Sequence, residues 1–391
     1  MPNRYRRGLI ALSADPVHLG HVNLILQAAA QCDEIVVYIS DNDQKAGSYL
    51  FSRSVRKGLV RNAMAGIPCK VIDGNGPLTD TYLREGCDVL FRGVRNAKDQ
   101  AYEENQMFYF RMGLPTLNVV YIAADNRLAH ISSTVVKLFV KHHFDTSDMV
   151  YLAVKAALEE EIHNQFRFGV TGLMGTGKSY TCERVRDILK TKRVGCTIIN
   201  IDQLVRDLYA EDTPGAQLVR DNIASVAGTR ALTEDGKDVD RDYLRTLFGV
   251  SGSSLMNDLA ALNTPHIHRL MRDRLRPAEG IVLIEYATLA EDALSHLANN
   301  NVIVVDSANR DAYCEGRGTP IEFKDHCDSI VAPTAEKVAM LEHAADKSRY
   351  GTVLQFDNDG DNADFEGLAR QIMTVHAGAS HTAQTMKRME F

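Results

Sequence analysis

The 391-residue sequence predicts an α/β protein built from two doubly wound parallel-sheet domains. Three observations carry that expectation. Strand-length apolar runs alternate with helix-length patterned stretches along both halves of the chain, as in sheets covered by helices on both faces. A G-x-x-x-x-G-K-S stretch, Gly172 to Ser179, follows the apolar run Phe166–Val170 and leads into a helical pattern from Lys178 to Leu189, the strand–turn–helix setting such a loop requires. About 165 residues precede that loop, which ordinarily follows the first strand of its domain, so the leading stretch is long enough to be a domain itself. The expected divisions are residues 1–163, 164–376 and a loose polar tail at 377–391.

In the first half the expected elements are a strand at Gly8–Leu12, a helix at Val22–Ala30 and a strand at Glu34–Ile39. A helix at Ser52–Ala65 is closed by Gly66 and Pro68, and a short strand follows at Lys70–Ile72. Next come a helix at Thr79–Glu85, a strand at Val89–Phe91, a helix at Gln100–Met112 ended by Pro115, and a strand at Leu117–Ala123. Helices at Ser133–His143 and Asp148–His163 complete that half. In the second half the strand candidates are Phe166–Val170, Cys196–Ile201, Ile281–Ile284, Asn301–Val305 and Thr352–Phe356. A helical block between Ile201 and Ile281, including Asp240–Phe248 and Leu255–Arg274, interrupts the sheet and is placed to cover a substrate.

The composition, 45% hydrophobic and 24% charged, is that of a globular chain with enough residues for two cores. A formal charge of −7 argues against a general nucleic-acid binder, which carries a basic surface. No apolar stretch reaches membrane-spanning length, and no signal-peptide core follows Arg4, Arg6 and Arg7. Seven scattered cysteines without a C-x-x-C pair read as reduced thiols. A cytoplasmic protein without nucleic-acid or membrane partners is the expectation.

The first chemical site is Ser13-Ala-Asp-Pro-Val-His-Leu-Gly-His21, where the first strand passes into the first helix. That carboxyl edge is where doubly wound sheets bind ligands. Gly20 lets the chain approach closely, the helix start offers free N–H groups, and His18 and His21 offer donors to a phosphate in transfer. The plainer alternative makes one histidine a helix cap and leaves the other exposed. Ser132, Ser133 and Thr134 at a later helix start can likewise donate to phosphates, or simply cap the helix.

The second site begins at the glycine-rich loop. Gly172, Gly175 and Gly177 turn backbone N–H groups inward around phosphate, with Thr176 in the same loop. Lys178 reaches the β- and γ-phosphates, and the Ser179 hydroxyl holds Mg²⁺ supplied with ATP. Downstream, Asp202 in Asn200-Ile-Asp-Gln-Leu-Val-Arg206 ends the next strand, able to take a proton from an attacking hydroxyl or to cap the following helix.

The H-x-G-H of the first site, Ile131-Ser-Ser-Thr134, and Phe91-Arg-Gly-Val-Arg-Asn-Ala-Lys-Asp-Gln-Ala-Tyr-Glu103 together resemble the bacterial-type phosphopantetheine adenylyltransferases of the nucleotidyltransferase superfamily. The resemblance spans roughly residues 8–160 and implies a Rossmann-like domain. It implies substrate positions at Ser13, Lys45, Leu78 and Arg92, and a transition-state role for His21 with Lys45 steadying the transferring phosphates. Nucleotide positions fall on Ser13, His18, His21, Gly93, Arg95, Glu103 and Ser132 to Thr134. Ala14 replaces the family's usual Phe, and the Lys45-to-Phe51 spacing is about two residues longer than usual.

The second half, about residues 166–376, resembles dephospho-coenzyme A kinase, a P-loop kinase. Asp202 stands at the proposed base and Arg206 at a substrate arginine, while Asn200 replaces the family's first Asp. The resemblance continues through Asp235-Gly236, Asp240-Arg241-x-x-Leu244, Phe248, Leu262-Asn263 and Asp357-Asn-Asp-Gly360. The family's His-Pro is out of register, leaving Pro265-His266; its Pro-Leu-Leu-x-Glu becomes Ala287-Thr-Leu-Ala-Glu291; and the lid carries Arg310 and Arg317 outside the usual run. His266 and His268 read equally well as exposed helix residues.

Together the resemblances imply the last two steps of coenzyme A formation. ATP and 4′-phosphopantetheine give dephospho-coenzyme A and pyrophosphate, and a second ATP phosphorylates the ribose 3′-hydroxyl. They also imply a homo-oligomer formed through the N-terminal domain. Two alternatives stand beside this: a nicotinamide mononucleotide adenylyltransferase fused to a ribosylnicotinamide kinase, and an adenylyltransferase carrying a non-catalytic nucleotide sensor. Against the first, Lys137 occupies a position where that family usually has arginine.

Overall fold

The computed structural model describes residues 5–41, 47–241, 243–244 and 253–388. Lys45, and Phe248 with part of the helix expected at Asp240–Phe248, lie outside the described residues. The chain separates into two compact units, residues 1–164 with 372–391 and residues 165–371.

The first unit holds five parallel strands, β1 (Tyr5–Leu12), β2 (Cys32–Ile39), β3 (Lys70–Asp73), β4 (Val89–Val94) and β5 (Val119–Ala123). Their order is β3-β2-β1-β4-β5. The chain first winds outward from β1 and then returns to its other side, so the winding reverses between β1 and β4. Alternation along the strands divides the core between the two faces of the sheet. Ile10, Ile35, Val37, Ile39, Val89 and Phe91 pack into one cluster. Their neighbours Leu9, Val36, Tyr38 and Leu90 pack into the other. Each such buried aliphatic side chain contributes roughly 1.5–3 kcal/mol of transfer free energy.

The connecting helices are α1 (Leu19–Ala29), α2 (Arg53–Ala63), α3 (Leu78–Arg84), α4 (Ala97–Gly113), α5 (Ser133–Lys141) and α6 (Leu152–His163). Ser52, Asn96 and Ser132 cap α2, α4 and α5, each accepting a backbone N–H three residues on. Strand β4 runs three residues beyond the apolar run Val89–Phe91, because Arg92, Gly93 and Val94 keep pairing with β5. That extension carries Arg92 to the carboxyl edge.

The second unit also holds five parallel strands, β6 (Gln165–Thr171), β7 (Cys196–Asn200), β8 (Gly280–Glu285), β9 (Asn301–Asp306) and β10 (Thr352–Asp357). Their order is β10-β9-β6-β8-β7, with β6 central. The glycine-rich loop follows β6 and opens α7 (Lys178–Thr191). Between β7 and β8 lie α8 (Ile201–Ala210), α9 (Pro214–Ala227) and α10 (Ser253–Leu275). Leu204, Leu208, Val219, Ile223, Leu270 and Met271 bury those helices against Val282 and Ile284 of β8. Beyond β9 come α11 (Arg310–Gly316), α12 (Ile321–Ile330), α13 (Thr334–Ser348) and α14 (Phe365–Arg388).

The loose tail expected from Ala377 is a correction: through Arg388 that segment continues α14. Once upstream turns are fixed, each added residue contributes a hydrogen bond without a new nucleus. No helix of the described residues is long and apolar enough to cross a membrane.

Candidate active sites

At the reversal between β1 and β4 lies a cleft of about 580 Å³. Its walls bring together residues far apart in sequence: His18 and His21, Arg92, Gly93, Arg95 and Glu103, and Ser132, Ser133 and Thr134. His18 is the N-cap of α1, and its backbone N–H donates to Nδ1 of His21 at 3.4 Å. The two rings stack with centroids 3.7 Å apart. Burial, reinforced by the nearby Arg95 charge, pulls the His18 pKa down to about 4, so this imidazole is neutral at ordinary pH.

Gly20 lines the cleft and also makes room within it. A Cβ there would lie 3.0 Å from Cε1 of His18, so the missing side chain makes room for that ring. Gly93 has a comparable reason: a Cβ would stand 2.6 Å from Cδ2 of Leu24.

Other expected residues prove to be partners of one another. Arg92 forms a bidentate pair with Glu103 at 2.6 and 2.8 Å, and Arg95 bonds Asp99 at 2.8 Å. Ser132 Oγ caps α5, while Ser133 Oγ donates to the Pro16 carbonyl at 2.9 Å, tying that helix to the H-x-G-H loop. Asp15, which sequence reasoning passed over, is the second tie. Its buried carboxylate accepts from the backbone of Leu50 and Phe51 and pairs with Lys137 at 2.9 Å. Leu78 packs partly buried against the cluster of Leu9, Val36 and Tyr38, away from the cleft walls.

In the second unit, the loop glycines are forced by geometry. Gly172 has φ 148°, and a Cβ there would sit 2.2 Å from the Val305 carbonyl oxygen. Gly177 has φ 80°, with its missing Cβ 2.1 Å from Nδ2 of Asn358. Asn358 in turn donates to the Thr176 carbonyl at 2.9 Å, so the Asp357–Gly360 segment braces the loop. Lys178 Nζ donates to the carbonyls of Gly172 and Leu173 at 3.0 and 2.9 Å. Burial lowers its pKa, opposed by the Glu285 and Asp202 charges.

Ser179 Oγ donates to Glu285 at 2.6 Å, and Asn200 Nδ2 donates to the other oxygen of that carboxylate at 2.7 Å. Glu285 is a residue of this candidate site that sequence reasoning missed. Sheet register places it beside Val170 on one side and Asn200 on the other.

The alternative that Asp202 caps α8 is not what the fold adopts. Asn200 is the cap, accepting from Gln203 N at 2.8 Å. Asp202 lies in the first turn, and burial raises its pKa although Lys178 and Arg206 oppose that. It opens onto a cavity of about 810 Å³ lined also by Arg206, Tyr209, Arg241, Asn263 and His268. His268 is thus half-buried on that wall rather than an exposed helix residue, and His266 is half-buried near Gly215.

Arg310 reaches the loop directly. Its Nε donates to the Met174 carbonyl at 2.8 Å, and its Nη2 donates to both carboxylate oxygens of Asp328 at 2.7 Å. Glu291 pairs with the buried Lys337 and accepts from Ala332 N.

Comparison with known proteins divides along the same line as the two sheets. A cytidylyltransferase-like family model matches residues 13–139, and a dephospho-CoA kinase model matches residues 166–312. The phosphopantetheine adenylyltransferase of Corynebacterium diphtheriae is 33% identical over 158 residues, covering 40% of this chain and 98% of that protein. That of Thermotoga neapolitana is 34% identical over 151 residues, covering 38% of this chain and 92% of its own. Among solved structures, the NadR protein in complex with NR superposes with a TM-score of only 0.32 at 15% identity, over 97% of this chain and 96% of its own. The nicotinamide alternative is not favoured by the family matches. By its N-terminal half the chain belongs to the phosphopantetheine adenylyltransferase family, and that half is fused to a dephospho-CoA kinase domain.

Proposed function

We propose that one chain carries out two consecutive reactions on the same growing molecule. In the first, a phosphate oxygen of 4′-phosphopantetheine attacks the α-phosphorus of ATP. The bond to the bridging oxygen breaks, and pyrophosphate leaves as dephospho-coenzyme A forms. The groups around the cleft are those such a step needs, since one anion must approach another and charge must be screened. His21 donates to the phosphorus-bound oxygens, with His18 neutral beneath it. Arg92 and Arg95 supply positive charge, and Ser132, Ser133 and Thr134 supply hydroxyl or backbone donors at the cleft; by family resemblance Ser13, just beyond β1, contacts the substrate phosphate. By family resemblance Lys45 joins them.

In the second reaction the ribose 3′-hydroxyl of dephospho-coenzyme A attacks the γ-phosphorus of another ATP. Its proton passes to Asp202, the γ-phosphoryl bond to ADP breaks, and coenzyme A is formed. Lys178 turns from the loop carbonyls to the phosphates, and Arg206 faces the acceptor in the cavity.

Among the described residues no group of three or more His, Cys, Asp or Glu could cage a metal ion. The Ser179 hydroxyl and the Glu285 carboxylate, oxygen donors meeting at 2.6 Å, fit Mg²⁺, which is bound by few protein groups plus phosphate and water. When bound, that ion neutralises charge on the nucleotide phosphates.

The observation that carries this proposal is the grouping of Lys178, Ser179 and Glu285 with Asp202, whose carboxyl pKa is raised, on the wall of the second cavity. A nucleotide sensor needs no base facing an acceptor cavity. A coupled assay with ATP, Mg²⁺ and 4′-phosphopantetheine, products resolved by mass, tests it. Coenzyme A is expected from the wild type, nothing from His21→Ala, and stalled dephospho-coenzyme A from Lys178→Ala. Wild type that stops at dephospho-coenzyme A would sink the kinase assignment. A homo-oligomer through the N-terminal unit belongs to the same proposal, and light scattering on that unit tests it.

A further inference from the structure

We infer that Arg56 is a positioning residue for adenylyl transfer, holding the carboxyl ends of β1 and β2 in register. The inference rests on the proposed first reaction and concerns a residue that does not line its cleft.

Arg56 is 1% exposed, the largest fully buried side chain in the described protein. One terminal nitrogen donates to the Ser13 carbonyl at 2.6 Å and to the Ser40 carbonyl at 3.2 Å. The other pairs with Asp41, which also pairs with Arg53. Ser13 and Ser40 are the first residues beyond β1 and β2, and Ser40 N donates to the Leu12 carbonyl at 3.2 Å. One guanidinium therefore joins the exits of two adjacent strands at the edge where ligands bind.

Tyr49 completes the arrangement. The Arg56 guanidinium lies over its ring at 4.2 Å, and its hydroxyl donates to Ser13 Oγ at 3.4 Å. Ser13 is thus held at its carbonyl by Arg56 and at its hydroxyl by the residue Arg56 stacks upon. Ser13 is a phosphate-handling residue of the proposed reaction, and it leaves the sheet at the point that Arg56 holds.

The chemistry requires arginine. A planar fork serves two carbonyls, a carboxylate and an aromatic face at once, whereas lysine offers a compact charge without that geometry. A buried guanidinium is expensive to desolvate, and Arg56 Nε has no hydrogen-bond partner among the described residues. The remaining contacts all converge on the strand exits, which is where such an expense is offset by function.

The test is Arg56→Lys in the full chain, with Asp41→Asn beside it. Adenylyl transfer is followed by pyrophosphate release, kinase activity with added dephospho-coenzyme A, and folding by thermal melting. Displacing phosphate-handling groups by an ångström costs about 100-fold. Arg56→Lys is therefore expected to lower kcat for adenylyl transfer roughly 10- to 100-fold, with KM, melting temperature and kinase rate little changed. Asp41→Asn, which spares the Ser13 contact, is expected to lose less. Wild-type kcat in Arg56→Lys overturns the inference, as does a loss that tracks melting and vanishes at lower temperature. Should Arg56→Lys not fold, Asp41→Asn decides, and an unchanged kcat there overturns it too. A wild type that releases no pyrophosphate refutes the first reaction itself and is read separately.

Discussion

Replacing Glu285 with glutamine tests how the kinase site is held together. The carboxylate is 5% exposed and receives two hydrogen bonds, from Ser179 at 2.6 Å and Asn200 at 2.7 Å. Hydrogen bonds to a charged group are worth about 1.5–3 kcal/mol and neutral ones about 0.5–1.5. Glutamine keeps the shape but offers one acceptor oxygen and one NH2 group. With the oxygen toward Asn200, the Ser179 hydroxyl meets a donor and must turn to accept. One charged contact thus becomes neutral and the other is reversed, a loss of roughly 2–3 kcal/mol for the pair. Relief of carboxylate desolvation offsets part of this in folding stability. It does not help the Ser179 hydroxyl, whose placement depends on that acceptor. Loss of the full amount in the reacting complex lowers kinase kcat roughly 30- to 150-fold, at about 1.4 kcal/mol per decade.

The assay is steady-state phosphorylation of dephospho-coenzyme A across a Mg²⁺ titration, with adenylyl transfer by the same preparation as an internal control. Glu285→Gln is expected to need more Mg²⁺ and to fall by that factor, while adenylyl transfer stays intact. A variant within threefold of wild type (roughly 0.6 kcal/mol) with an unchanged Mg²⁺ requirement would refute the reasoning.

Three further outcomes follow from the same geometry. Burial raises the Asp202 pKa while Lys178 and Arg206 oppose it; a base works only when ionised, so kinase rate falls on acidification through that raised value. Arg206→Gln removes one opposing charge and should move the acid limb of kcat to higher pH, which a pH–rate profile checks. His18, held at about 4 chiefly by burial, stays neutral between pH 5 and 8, so NMR titration should find its ring unprotonated there and Arg95→Gln should raise its pKa only modestly. Gly177→Ala places a methyl 2.1 Å from Asn358 Nδ2 at φ 80°. That left-handed backbone alone costs about 1–2 kcal/mol, so a lower melting temperature and weaker ATP binding are expected.

The parallel sheets were legible because their strands are local patterns. Ile281–Ile284 and residues 302–305 are buried on both faces and read as unbroken apolar runs. Gly172 to Ser179 was legible for a related reason, since strand, turn and helix are contiguous in the chain. Glu285 was not, although a signal existed: a carboxylate directly terminates the run Ile281–Ile284. What brings it into the candidate site is register, which sets it beside Asn200 and brings it to Ser179 from 106 residues away. Arg92 and Glu103 show the same limit from the other side. Each read as a ligand contact in isolation, yet β4 and α4 fold them onto one another as a bidentate pair. Such a pair lowers the cost of two charges beside the cleft, and an incoming phosphate must compete with Glu103 for Arg92. The residues that sequence assigns to ligands and the residues that the fold assigns to each other are therefore partly the same set. At a phosphate site this follows from the physics, because every donor aimed at an anion needs an interim acceptor, and Lys178 on the Gly172 and Leu173 carbonyls is the second instance.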